Sequence, residues 1–315
     1  MTGLLARRML GMAATLVLAS FVVFGVLEVL PGDPARVMLG PNATADAVAA
    51  LRERLGLDAP IWQRYAVWVG GLVWGDFGRS LTYGTGVGTL IAERAAVSLP
   101  LAVGALALTI MIAVPAGVAA AARRGGRADG AIMALTQLGI AVPNFWFAIL
   151  LVYVFAVTLR LVPSGGFPGW DEPLEALRTL ILPALALAVP QAAILARVAR
   201  SAVVEVLGAD FVRTARAKGA SRSRVLWGHA LRNALVPVLT ITGLQFAFLV
   251  SGVVIIEQVF SLPGLGRLAV QAITQGDLPV VRGVVMLLVG TVILTNFTVD
   301  VLYALVDPRL RHARP

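Results

Sequence analysis

Apolar residues in this chain fall in long unbroken blocks, not in the alternating pattern of half-buried strands. Six blocks stand out, at residues 9–30, 99–122, 132–159, 180–198, 235–260 and 284–306, with few or no charges inside any of them. An α-helix rises about 1.5 Å per residue, so about 20 residues cross a hydrocarbon layer roughly 30 Å thick. Lipid offers the backbone no hydrogen bonds, and a helix satisfies its own. The pattern predicts an all-α polytopic membrane protein with six transmembrane helices. The first block exceeds the apolar core of a signal peptide, and "VLEVLPGDP" after it lacks a small-residue cleavage site, so it is read as a retained anchor.

Composition agrees: 58% of residues are hydrophobic and 14% charged, against about a quarter charged in soluble domains. The chain has no cysteine, which excludes disulfides, thiolate metal sites and thiol nucleophiles, and no metal site is expected. The net charge of +9 follows topology. Sixteen of the 26 Lys and Arg residues fall on one alternating side: Arg7 and Arg8, Arg123, Arg124 and Arg127, the cluster from Arg197 to Arg232, and Arg309, Arg311 and Arg314. The short segments opposite carry only Arg160, Arg178, Arg267 and Arg282. The positive-inside rule then places both termini in the cytoplasm. Basicity needs no nucleic acid to explain it.

Residues 31–98 form the largest extramembrane piece, read as extracytoplasmic with amphipathic helices. "ATADAVAALRERLGL" puts Val48, Leu51 and Leu55 on one helical face, with Gly56 placed to end the helix. Downstream, Trp62, Tyr65 and Trp68 recur every three residues. Such a stripe either lies at the outer headgroup layer or packs against the protein's own spans.

The densest charge is "RTARAKGASRSR" at 213–224, five cations in twelve residues, including the chain's one lysine. Gly208 interrupts the helix leaving the fourth span, and Asp210 offers an N-cap oxygen. "FVRTARAK" is helical, Gly219 suits a left-handed C′ position, and Ser221 caps the next helix. A positive-inside loop accounts for the charge but not for this punctuation. A short capped basic helix beneath a bundle suits docking into an acidic or polar groove of a cytoplasmic partner, with Ala215 and Ala217 leaving room for close approach.

"ADFVRTARAKGASRSRVLWGHALRNALVPVLT" resembles the cytoplasmic coupling loop of ATP-binding-cassette (ABC) importer permeases, in the dipeptide/oligopeptide/nickel group. "LLARRML", "LPGDP" (30–34), "LGLDAPIWQRYAVWVGGLVWGDFGRS" (55–80), "PNFW" (143–146), "VFSLPGLGRL" (259–268) and "VDVLYALVDPRLR" (299–311) follow the group in order, so the similarity covers nearly the whole chain. It points to the first, B-type, of the two permeases such systems encode. The resemblance implies a type I ABC importer permease fold in a bacterial inner membrane. It divides the chain into an anchor (1–30), the outer segment (31–98), a five-helix core (99–306) with the coupling loop at 199–234, and a tail (307–315). Ala215 and Gly219 match the family's loop alanine and glycine, whereas "TAR" (214–216) stands where the general pattern has "EAA", and Pro237 lies further from Gly219 than that pattern places it. Both departures are shared by the peptide subgroup. The ATPase-coupling residues it implies are Phe211, Arg213, Thr214, Ala215, Arg216, Lys218 and Gly219.

The implied partners are a second homologous permease, two ABC ATPase subunits, an extracytoplasmic solute-binding protein and the bilayer. ATP-Mg belongs to the ATPases; this chain lacks G-x-x-x-x-G-K-[ST], since Lys218 is followed by Gly219 and Ala220. No catalytic residue is expected. Peptides are the expected cargo, with nickel, glutathione or another small solute as alternatives. Pro115, Pro143, Pro183 and Pro190 each remove a backbone donor within a span, as static kinks or as cavity-lining breaks. Pro143, Asn144 and Glu257 are the candidates for the pathway or a gate; Asn144 equally suits a helix–helix hydrogen bond. Glu257 and Asp300 lie near span ends, where a structural, partly solvated role is the default. A secondary transporter would show repeated halves and a charge at a span centre. An intramembrane enzyme would show H-E-x-x-H or paired core aspartates. Neither pattern is present; the only histidines are His229 and His312.

Overall fold

The computed structural model describes residues 2–29, 33–40 and 42–306. The 307–315 tail with His312, and the Asp300 side chain, lie outside the described part. The helices run α1 (Thr2–Val29), α2 (Pro34–Leu39), α3 (Ala45–Arg54), α4 (Ile61–Val73), α5 (Val87–Ala122), α6 (Arg127–Ala141) and α7 (Asn144–Leu151), the last continued by a π-helical stretch, Val152–Thr158. Then come α8 (Pro173–Leu207), α9 (Asp210–Ala217), a π-helical stretch Arg224–Ala230, α10 (Leu231–Val259), α11 (Leu265–Gln275) and α12 (Leu278–Val306). No strand occurs among the described residues.

Five helical stretches are long and apolar enough to cross a membrane: Arg7–Val29, α5, α8, Arg224–Val259 and Leu278–Val299. The sixth expected span, 132–159, is not one straight helix. It is α6 and α7 with its π extension, bent by 100° at Val142 and Pro143. The cause is local: a residue before proline is pushed out of the α region. Val142 is extended (φ −86°, ψ 123°), and Pro143 brings no N–H to continue the ladder. Pro115, Pro183 and Pro190 lie inside unbroken helices.

The chain divides into two compact units, Met1–Ser98 with Pro263–Leu294, and Leu99–Leu262 with Thr295–Pro315. In the first, Val87 and Ile91 of α5, Leu265, Leu268 and Ala272 of α11, and Val280, Val281 and Val284 of α12 form one buried cluster at helical spacings. Asp277, fully buried, precedes α12 and accepts hydrogen bonds from Ser80 Oγ (2.5 Å) and the N–H groups of Leu81 (3.2 Å) and Thr82 (3.1 Å). A carboxylate so supplied with donors stays buried without the usual penalty. Glu28 at the end of α1 joins Arg64 of α4 (2.5 Å) and Arg282 of α12 (3.2 Å), and the Arg282 guanidinium lies 4.3 Å from the Phe24 ring centre. Tyr65 and Trp68 pack on Phe24 of α1 at 5.4 and 5.6 Å between ring centres, and Tyr65 Oη pairs with Ser20 Oγ at 2.9 Å. Trp62 stays 70% exposed. The aromatic stripe is thus divided between a span-packing role and an outward-facing one.

The second unit is built on α8, whose buried alanines (Ala184, Ala186, Ala188, Ala192, Ala193, Ala196, Ala199 and Ala202) let neighbours approach closely. Gly117 of α5 sits so near that a Cβ there would lie 2.7 Å from both the Ala196 carbonyl oxygen and the Ala199 Cβ. Two buried polar side chains link helices: Gln245 Nε2 of α10 donates to the Gln191 carbonyl of α8 (2.8 Å), and Thr109 Oγ1, which donates within α5 to the Ala105 carbonyl (2.8 Å), lies 3.3 Å from the Ala188 carbonyl of α8. Arg200 of α8 grips Asp129 of α6 through Nε (2.5 Å) and Nη2 (2.6 Å), a bidentate pair that fixes the start of α6.

Candidate functional site

The charge-dense stretch after α8 forms a short helix, α9, with defined ends. Gly208 closes α8, and Ala209, extended at φ −73° and ψ 149°, stands at the N-cap. Asp210 is therefore not the cap: it is the first helical residue, where its charge suits the positive end of the helix dipole. Its carboxylate reaches Arg213 at only 3.4 Å, and both side chains are largely exposed. Thr214 Oγ1 turns back to the Asp210 carbonyl at 3.1 Å.

The C-terminal end is tighter. Gly219 has φ +83°, a left-handed conformation that costs side-chain-bearing residues about 1–2 kcal/mol. It allows paired closing bonds, Gly219 N to Arg216 O (2.9 Å) and Ala220 N to Ala215 O (3.1 Å), which is the Schellman arrangement. Two residues on, Ser221 Oγ accepts from Arg224 N (3.3 Å) and caps the next helix. Both turns of the linker are thereby fixed by hydrogen bonds.

Only Val212 of α9 is fully buried, and the helix packs on the π-helical Arg224–Ala230. Phe211, Arg213, Thr214, Arg216, Lys218 and Gly219 are exposed, and Ala215 is half-buried. Phe211, Thr214, Ala215, Lys218 and Gly219 border one open depression of about 500 Å³, whose lining also includes Ala220, Arg224 and His229. Arg216 belongs instead to a second depression of about 720 Å³, with Arg123, Arg124, Arg127 and Arg222. Arg216 and Lys218 form no ion pair among the described residues. An exposed apolar ring, a small residue and unpaired cations on a rigid rod make a surface suited to an acidic groove.

Pro143, Asn144 and Glu257 border neither depression. Pro143 is exposed at the break before α7, and Asn144 is half-buried as the first residue of that helix. Glu257 corrects the expectation of partial solvation: it is fully buried in α10, with 0% of its surface accessible. Nearness to a span end does not bring access to water here, because neighbouring residues of α10 such as Val253 and Ile256 are buried as well. The Asp129–Arg200 clamp was missed. Its partners lie 71 positions apart, and each alone reads as a positive-inside or solvated charge.

The family model for the binding-protein-dependent transport system inner membrane component matches residues 113–312, and that for the N-terminal part of such membrane components matches residues 1–86. A putative peptide transport system permease protein of Brucella abortus is 45% identical over 99% of this chain and 100% of its own length. A probable peptide ABC transporter permease protein of Sinorhizobium fredii is 39% identical over 97% of this chain and 98% of its own. The glutathione transport system permease protein GsiC of Escherichia coli K12 gives 39% over 97% and 98%. The inward-facing MetNI methionine ABC transporter superposes with a TM-score of 0.58 at 21% identity, over 69% of this chain and 96% of that one. That likeness bears on the fold, which is the type I importer permease fold. With one family model covering well over half of the chain and relatives similar along nearly all of it, this chain belongs to the binding-protein-dependent transport system inner membrane component family, as a permease subunit of an ABC importer.

Proposed function

We propose that this permease imports di- and oligopeptides, forming half of the pathway beside a second homologous permease, and that α9 is its mechanical link to a pair of ATPase subunits. The observation that carries the coupling role is α9 itself: eight residues closed by the Gly219 turn, with Phe211 and three cationic side chains facing out. ATP with its magnesium is held and hydrolysed on the partner subunits, whose closure displaces α9. The helix transmits that displacement because its connections to α8 and α10 are hydrogen-bonded turns, not free chain. Each charge-assisted hydrogen bond into the ATPase groove contributes about 1.5–3 kcal/mol. Ala215, without a long side chain, sets how closely the helix backbone approaches. Within the bundle, the break at Pro143 and Asn144 is the hinge assigned to the pathway, and buried Glu257 holds the outer end of α10 in register.

Peptide cargo is supported by the relatives named for peptide transport at 39–45% identity. Glutathione is the second reading, favoured by the 39% identity to GsiC, and it is itself a small peptide with one unusual linkage. The test is the whole importer, reconstituted in liposomes with its partner subunits and binding protein. An Ala215→Cys variant should crosslink to a cysteine in the ATPase groove with a yield that changes when nucleotide is added, and labelled dipeptide should accumulate only with ATP inside. Absence of a crosslink at every position from 211 to 220 would remove α9 from the mechanism. Uptake of glutathione but not of dipeptides would settle the cargo against the first reading.

A further inference from the structure

Beside α9 lies the second depression, whose chemistry differs from the first. Its wall carries Arg123, Arg124, Arg127, Arg216 and Arg222 and no acidic residue. None of the five forms an ion pair among the described residues; Arg222 donates to the Ala122 carbonyl at the end of α5. Arginines after a helix often do no more than balance its negative end. Two helix C-termini meet here, those of α5 and α8, and each amounts to about half a negative charge. Together they offset about one of five positive charges; Asp129, beside the wall, is held by Arg200 and also attracts Arg124, so a surplus of about three remains.

Besides Gly126, Ala128 and Gly208 of the linkers and α6, the wall includes Ala121, Ala122, Val204 and Leu207 from the last turns of two membrane-crossing helices. Apolar helix ends on one side and guanidinium groups on the other make the depression amphipathic, beside residue 122 where the apolar block of α5 ends. Guanidinium matches phosphate oxygens through paired donors. We infer that this depression binds the headgroup of an anionic phospholipid, whose acyl chains lie along the ends of α5 and α8. The occupant's phosphodiester is the recognised group. Because Arg216 belongs to both the depression and α9, a bound lipid also fixes the position of α9 relative to the bilayer, making coupling dependent on lipid charge. This assignment stands on the charge and on the span ends, and is independent of what α9 docks into.

The test uses the full complex purified in mild detergent, exchanged against phosphatidylglycerol or phosphatidylcholine, with retained lipid counted by mass spectrometry. Arg123→Gln and Arg127→Gln are used singly and together, since neither residue is on α9. The complex should retain phosphatidylglycerol in preference to phosphatidylcholine. Each substitution should lower that retention about fivefold, following the loss of one cation at a charged surface. Equal retention of the two lipids, or unchanged retention in the double variant, overturns the assignment. Displacement of the lipid by millimolar inorganic phosphate or glycerol phosphate overturns it in favour of a soluble anion. Loss of the ATPase subunits from the double variant in phospholipid-free detergent overturns it in favour of a protein-docking face. Unchanged thermal unfolding of the delipidated double variant, alongside the lost retention, supports it over a folding defect.

Discussion

Two short helices in this protein share a design and differ in what they do with their charge. Both α3 and α9 end in a left-handed glycine, Gly56 at φ +65° and Gly219 at φ +83°, and both close with the same pair of backbone bonds. In α3 these run from Gly56 N to Glu53 O (3.0 Å) and Leu57 N to Arg52 O (3.0 Å). Yet Arg52 of α3 is held inside its own unit, bonded to Asp33 and Asp58 at 3.0 Å each. Arg216 and Lys218 of α9 have no such partners among the described residues, and Arg213 has only a long contact to Asp210. The same local punctuation serves an internally satisfied helix in one place and an outward-facing one in the other. Unmatched charge on a rigid element is the observation on which the docking role proposed for α9 rests.

Removing that charge should break the comparison most severely. Replacing Arg213, Arg216 and Lys218 together by alanine keeps helix propensity, since alanine is the best helix former. Counting Arg213 and Lys218 only, since Arg216 borders the second depression, two lost interface contacts at about 1.5 kcal/mol each weaken ATPase association on the order of 100-fold. Co-purification of the ATPase subunits and ATP-driven uptake should fall together, with membrane insertion unchanged. Uptake at normal rates in this variant would place the docking surface elsewhere.

The two glycines give a smaller and more discriminating effect. Neither Gly56 nor Gly219 has any atom within 4 Å of where a Cβ would stand, so Gly→Ala brings conformational strain without a clash. The local cost is about 1–2 kcal/mol in each helix. Gly56→Ala should lower the unfolding midpoint in detergent slightly and leave the ATP hydrolysed per peptide imported unchanged. Gly219→Ala should raise that ratio several-fold, because the strain falls on the turn that passes force to α10. Equal effects of the two variants on the ratio would mean that α9 is only another capped surface helix.

The contrast between these helices also shows what the sequence made readable. Both glycines, the Ser221 cap and the apolar blocks were visible because each depends on residues within a turn or two of one another. The 100° bend was half visible: Pro143 announced a missing donor, but proline also sits inside α5 and α8 without breaking them, and the outcome depends on what packs around it. Asp210 was misplaced by one residue because Ala209, with no side chain able to cap, took the extended conformation instead. Asp277 with Ser80, and Glu28 with Arg282, pair residues 197 and 254 positions apart, and no local pattern marks them. The coupling role proposed for residues of α9 comes through resemblance, and not from a local pattern alone. The second, arginine-walled depression was not legible, since it gathers the α5–α6 link, α9 and the turn after it only once the chain folds.

The smallest effect concerns the charge that α3 keeps to itself. Burial alone would raise the Asp33 carboxyl, but hydrogen bonds from Arg52 and the Ala35 N–H, with the field of Arg52, outweigh it and hold the group below its ordinary value. A carboxylate depressed on folding contributes stability above its ordinary value, about 4, and loses that contribution as pH falls through the lower folded value. Acidifying the detergent-solubilised protein below about pH 4 should therefore weaken the attachment of α3 to the start of α2. Asp33→Asn keeps an N-cap oxygen for Ala35 but removes the charge. It should lower the unfolding midpoint at pH 7 by only a degree or two, since the Arg52 side chain is 38% exposed and screened by water. The gap between variant and parent should close on acidification, because the parent then carries a neutral carboxyl as well. A gap that persists at the acid end of the titration, where the parent carboxyl is protonated in the folded state as well, would assign the loss to the cap geometry and not to the ion pair, and Arg52 would then be no better satisfied than the cations of α9.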